Sequence, residues 1–141
     1  MTLIDMMHDG IRAVVYRAQI AFNQKNTKEL QEARAELTDF SDNVKKYFQI
    51  VEDIEKGTPI FSEIMEANQL MKKYIEQAEQ ILSKFETNEN AKLAESMDLF
   101  IQSFEILEKK LEFVGGAIEK DAEQSVNDSL LGADSSQEII S

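Results

Sequence analysis

The sequence predicts an all-α protein: an antiparallel up-down-up-down four-helix bundle with a short fifth helix and a disordered acidic C-terminal tail. Three observations predict it. Apolar residues recur in alternating steps of three and four along four long segments, the 3.5-residue repeat that puts them on one face of a helix. The 141 residues include 5 Gly and 1 Pro, too few turn-formers for many short strands. The breaks between segments are short and polar, and short links between long helices make antiparallel neighbours.

The first seam runs Ile4, Met7, Ile11, Val14, Ala18 and Ala21. The second runs Leu30, Ala33, Leu37, Phe40, Val44, Tyr47, Val51 and Ile54. The third steps from Ile60 through Ile64, Ala67, Met71, Tyr74, Ala78 and Ile81 to Phe85, and the fourth from Leu93 through Met97, Phe100, Phe104, Leu107 and Leu111 to Val114. Asn26 with Glu29 three residues on reads as a capping box for the second helix, with Thr27 as an alternative cap. In Gly57-Thr58-Pro59 the glycine ends helix 2, Thr58 is the expected N-cap of helix 3 and Pro59 its first residue. The run Glu86 to Asn90 is polar and offers several caps, and Gly115-Gly116 is expected to stop helix 4. Residues 1–116 are thus the bundle. Residues 117–141 hold a short helix from Ala117 to about Asn127, through Ile118, Ala122 and Val126, then a flexible acidic tail in which Leu130-Leu131 and Ile139-Ile140 are apolar islands.

Composition narrows the function. The net charge is −12, with 10 acids against 8 bases in residues 1–57, 11 against 6 in 58–115 and 6 against 1 in 116–141. No basic patch is present to meet phosphate backbones or anionic lipid, so neither nucleic acid nor membrane is an expected partner. No cysteine is present and His8 is the single histidine, which excludes Cys/His zinc sites, paired Glu-x-x-His di-iron sites and a Ser/His/Asp set with any redundancy. No glycine-rich phosphate loop occurs. The acid clusters Glu63/Glu66 and Glu105/Glu108/Glu112 lack the glycine-bearing loop of a calcium site and read as solvated helix faces. No catalytic residues, metal or cofactor are therefore expected. The expected setting is cytoplasmic, with no signal peptide or membrane span.

Helix 1 has an apolar surplus: Leu3, Met6, Ala13, Val15, Ile20 and Phe22 stand beside its seam. A helix apolar nearly all round is either central in its own bundle or offers a face to a partner. On the second reading Met6, Met7, Ile11, Val14, Val15, Ala18 and Phe22 form the partner-binding set, with Met suited to adaptable grooves.

The same stretch carries a resemblance. Leu3, Met6, Met7, Asp9, Gly10, Val15, Ala18, Ala21, Lys25 and Asn26, within LIDMMHDGIRAVVYRAQIAFNQKN, resemble the first long helix of the flagellar secretion chaperone FliS family. His8 stands where that family has Tyr. In the second half, Tyr74 and Ala78 occupy suitable places, but the family's tight Leu-Tyr-x-Tyr pattern is missing. The resemblance implies a cytosolic export chaperone that holds the amphipathic segment of a flagellin-type substrate in a hydrophobic groove between helices. The alternatives are a self-associating structural or adaptor bundle, in which helix 1 pairs with its own copy, and an acidic nucleic-acid mimic. The mimic is the least supported, because lysines and arginines are interspersed with the acids on helices 1 and 2.

Overall fold

A computed structural model describes residues 3–118 and 121–130. Five helices follow in order: α1 Leu3–Asn23, α2 Thr27–Glu55, α3 Phe61–Glu86, α4 Leu93–Ile118 and α5 Asp121–Leu130. The four long helices pack together as an all-α bundle, each reversing the direction of the last through a short turn. α2, at 29 residues, spans about 43 Å at 1.5 Å per residue. α1 packs against α2, α3 and α4, and α1 and α3 meet across the bundle; α5 lies against α2 and touches α4.

The turns use helix-end chemistry. At the end of α1, Asn26 N donates to Ala21 O at 2.8 Å and Lys25 N to Phe22 O at 3.1 Å. This is a Schellman closure, with Lys25 in the left-handed region at φ 57°. The end of α3 repeats it, with Glu89 N on Lys84 O, Asn88 N on Phe85 O and Asn88 at φ 57°. Asn26 caps α2 as expected, accepting from Glu29 N at 3.1 Å. The Glu29 side chain points instead toward Arg17, 3.8 Å away.

Two expected boundaries move. Gly57 closes α2 at φ 85°, but Thr58 does not cap α3. Its hydroxyl turns back to donate to Glu55 O at 2.6 Å, and its carbonyl accepts from Phe61 N, so a separate turn precedes α3. Gly115-Gly116 does not stop α4, which continues to Ile118. Glycine ends a helix by taking the left-handed backbone, and here both glycines stay helical with Gly115 buried. The fifth helix consequently starts later, at Asp121, with Val126 fully buried and Leu130 packed against the core. The expected disorder of the tail, and the islands at Leu131 and Ile139-Ile140, lie outside the described residues.

The predicted seams of α1 and α3 are buried nearly throughout, and so is that of α4 from Met97 to Val114. α2 departs in an instructive way: Ile54 is exposed and Phe40 half-buried, while Ser41 and Phe48 are buried. A straight helix turns 3.6 residues per turn, so a strict seven-residue seam drifts about 20° per heptad and leaves the core by its far end. Between α2 and α3, Arg34 forks onto Glu86, Nε to Oε2 at 3.2 Å and Nη2 to Oε1 at 2.7 Å. The same Nη2 donates to Ser83 Oγ at 3.0 Å.

Candidate protein-docking surface

α4 carries two apolar stripes. Its inner one is core: Phe100, Leu107, Leu111 and Val114 are at most 2% exposed. Its outer one is Leu99, Ile106 and Phe113, which are 50%, 57% and 63% exposed. Seven residues are nearly two full turns, so these three side chains stand in one row about 21 Å long. Beside the row, Leu70 of α3 is partly buried against the core. With Ile106, Phe113, Glu63, Lys109 and Lys110 it lines a cleft of about 490 Å³ between α3 and α4.

The walls of the cleft are fixed by charge. Lys110 bridges the carboxylates of Glu63 and Glu66 from the neighbouring helix. The hydrogen bond to Glu63, followed by that to Glu66, raises the Lys110 pKa, and the hydrogen bond from Lys110 lowers that of Glu66. This local network is partly open to solvent, with Glu66 the most exposed member, so it contributes alignment more than stability. The Glu63/Glu66 cluster, read from sequence as a solvated face, is thus one half of an interhelix staple.

The seven residues expected to bind a partner scatter. Met7, Ile11, Val14, Val15 and Ala18 are at most 5% exposed and lie in the chain's own core. The expectation that they form an open groove is corrected: α1 packs on three neighbours, which cover its seam together with Leu3 and Val15, while Met6 and Ile20 of its surplus stay exposed. Met6 is 54% exposed. Phe22 is half-buried, stacked on Phe85 at 4.9 Å between centroids, and lines a cleft of about 520 Å³ with Lys25, Leu30 and Glu86 at one end of the bundle. Gly10 has a packing reason. A Cβ there would lie 2.4 Å from Phe40 Cζ, so the glycine lets the α2 ring press onto the α1 backbone.

Sequence reasoning missed Leu99, Ile106 and Phe113. The signal was present, since the three are spaced by seven beside an already apolar seam. On α1 the apolar surplus is more numerous and coincides with the stretch that carries the resemblance, so it outweighs the α4 row in sequence.

His8 is 1% exposed, at the meeting of α1, α3 and α4. Its ring stacks on Phe104 at 3.9 Å and 7°, and its Nε2 lies 3.1 Å from Phe104 O. A carbonyl only accepts, so Nε2 carries the hydrogen and donates. Tyr74 OH donates to His8 O at 3.4 Å, and burial pushes the Tyr74 phenol far above its ordinary range. Burial also lowers the His8 pKa, against the opposing pull of the Phe104 carbonyl and of Asp9, Glu108 and Asp5.

Among the described residues no helix is long and apolar enough to cross a membrane, and no group of three or more His, Asp or Glu side chains is placed to hold a metal ion. No family model, curated protein or solved structure matches the chain.

Proposed function

We propose that the chain is a non-catalytic protein-binding module that holds an amphipathic helical segment of a partner in the α3–α4 groove. The class of partner we propose is a flagellin-type export substrate, bound in the cytosol as by a flagellar export chaperone. One observation carries the binding surface: the exposed row Leu99, Ile106, Phe113, whose seven-residue spacing matches the repeat of a packing helix. The chaperone class is supported by the resemblance from Leu3 to Asn26. The occupant that fits presents large apolar side chains every seven residues and an acid to meet Lys109 at the rim.

Magnitude sets a further condition. Covering three half-exposed side chains supplies about 3–4 kcal/mol. Micromolar affinity needs about 8 kcal/mol. A partner segment therefore reaches beyond the row, and wrapping by a long disordered segment meets that need.

The test is capture of flagellin by the tagged chain from the lysate of a motile bacterium, compared with Ile106→Asp and Phe113→Asp. Flagellin held by the native chain and released by both substitutions, at unchanged unfolding midpoint, is the expected result. Equal capture by all three would remove the groove from the reading, and no flagellin with the native chain would remove the chaperone.

A second reading has its own observation. The row is symmetric about Ile106, so two α4 helices packed antiparallel would set Leu99 against Phe113 of a second copy. Light scattering separates the two: a native dimer that Ile106→Asp converts to a monomer favours self-association.

A further inference from the structure

We infer that His8 is an acid-sensitive latch on the α1–α4 seam: a second proton on its imidazole withdraws the ring from Phe104 and loosens α1 from α4 while the α2–α3 contact holds. This goes beyond the docking surface and does not depend on it.

The geometry is a clamp. His8 and Arg12 are one turn apart on α1, and both address the Phe104 ring of α4. The imidazole is stacked on it at 3.9 Å, and the guanidinium carbon lies over it at 4.0 Å from the centroid. Two groups that close to one ring centre take opposite faces, so Phe104 is held between them. The clamp sits where it matters, because α1 meets α4 less extensively than it meets α2 or α3.

The clamp in this form requires a neutral imidazole. Phe104 O holds the one hydrogen on Nε2, so the next proton goes to Nδ1. Nδ1 lies 3.6 Å from Asp9 Oδ1, and His8 lines a small pocket with Asp5, Asp9, Glu108 and Glu112. From α1 the ring is thus faced by Asp5, Asp9 and Arg12, and from α4 by Glu108 and Glu112. From α3 it is faced by Tyr74, whose phenol stays neutral. Protonation places a second cation across Phe104 from Arg12 and leaves a charge in a site 1% exposed. Withdrawn from Phe104, the charged ring would stay beside the carboxylates of Asp5, Asp9, Glu108 and Glu112 that share its pocket. Burial outweighs their pull, so the folded pKa lies below the ordinary value of 6.5. The sign follows: the seam is fully stabilised above about pH 6.5 and loses that contribution as pH falls through the folded pKa. Ordinary Asp and Glu titrate near pH 4, so the window from about 6.5 to 5.5 belongs to histidine.

The chain has one histidine, which makes the test direct. Long-range proton–nitrogen NMR of the full chain reads the tautomer and the titration, and hydrogen exchange at about pH 7.5 and about pH 5.5 reads the seam. Expected are a neutral ring protonated on Nε2 that titrates below 6.5, and exchange in residues 4–11 and 100–107 rising up to about tenfold per pH unit after correction for intrinsic rates. Residues 30–37 and 78–85, on the α2–α3 contact, should change far less. His8→Gln keeps a donor for Phe104 O and His8→Tyr keeps an aromatic ring; neither titrates in this window, and the response should vanish in whichever folds. A ring that titrates at or above 6.5, a seam with the same protection at both pH values, or an equal response in a folded variant would overturn the latch.

Discussion

α1 and α4 are alike in sequence and divide their apolar surplus differently. Each carries more apolar residues than one seam needs. On α1 the surplus is split: Leu3 and Val15 are buried beside the seam, because the helix meets three neighbours, while Met6 and Ile20 are 54% and 57% exposed. On α4 the extra residues form a row of their own, and at Leu99, Ile106 and Phe113 half or more of each residue is exposed. The difference lies in angle rather than in hydrophobicity. A surplus next to the seam widens the buried face, whereas a surplus well away from it, repeating at seven, builds a second face. Counting apolar residues does not separate the two; their angular placement and the number of packing neighbours do.

The largest test of that contrast is Val15→Asp, which places a carboxylate at a site that is 0% exposed. We expect a loss of about 4 kcal/mol or more, or no folding at all, by urea unfolding. Phe113→Asp on α4 should move the same midpoint by no more than about 0.5 kcal/mol. Equal losses would erase the distinction between the helices.

Gly10→Ala asks how tightly α1 is seated. Alanine gains about 1 kcal/mol in helix propensity. The new Cβ would lie 2.4 Å from Phe40 Cζ, and displacing a packed ring costs about 1–3 kcal/mol. A net loss of about 1 kcal/mol is expected, and restoration by Gly10→Ala with Phe40→Leu would show that the ring is the cause. A stabilised single variant would mean that Phe40 is free to swing away. The smallest effect belongs to Met6→Gln. Met6 is on α1 but exposed, so neither stability, within about 0.5 kcal/mol, nor flagellin capture should change. Lost capture with Met6→Gln would return α1 to the docking surface.

Much of the fold was legible because period is a local property. Ile64, Ala67, Met71, Tyr74, Ala78, Ile81 and Phe85 announce one face of α3 without reference to any other helix, and all are buried. Asn26 as a cap is equally local. What was not legible depends on neighbours. Gly115-Gly116 stays helical, and Thr58 bonds backward to Glu55 instead of capping forward. The setting of His8 is equally non-local, since its partners Phe104 and Tyr74 lie on helices far along the chain. The candidate site failed for the same reason: whether Ile11 or Ile106 faces outward depends on how many helices surround each one.

The charged staples on α3 have one more consequence. Arg34 fastens its C-terminal end to α2, and Lys110 fastens its N-terminal end to α4. A two-pronged guanidinium contact is satisfied at one height, so a helix tied at both ends does not slide along its neighbours. In the proposed docking role the α3–α4 cleft then has a fixed scale and would work as a gauge. A guest helix that repeats every seven residues would keep step with Leu99, Ile106 and Phe113, while one that repeats every eleven would fall out of register within about two turns. Discrimination among guests of equal greasiness would come from cadence.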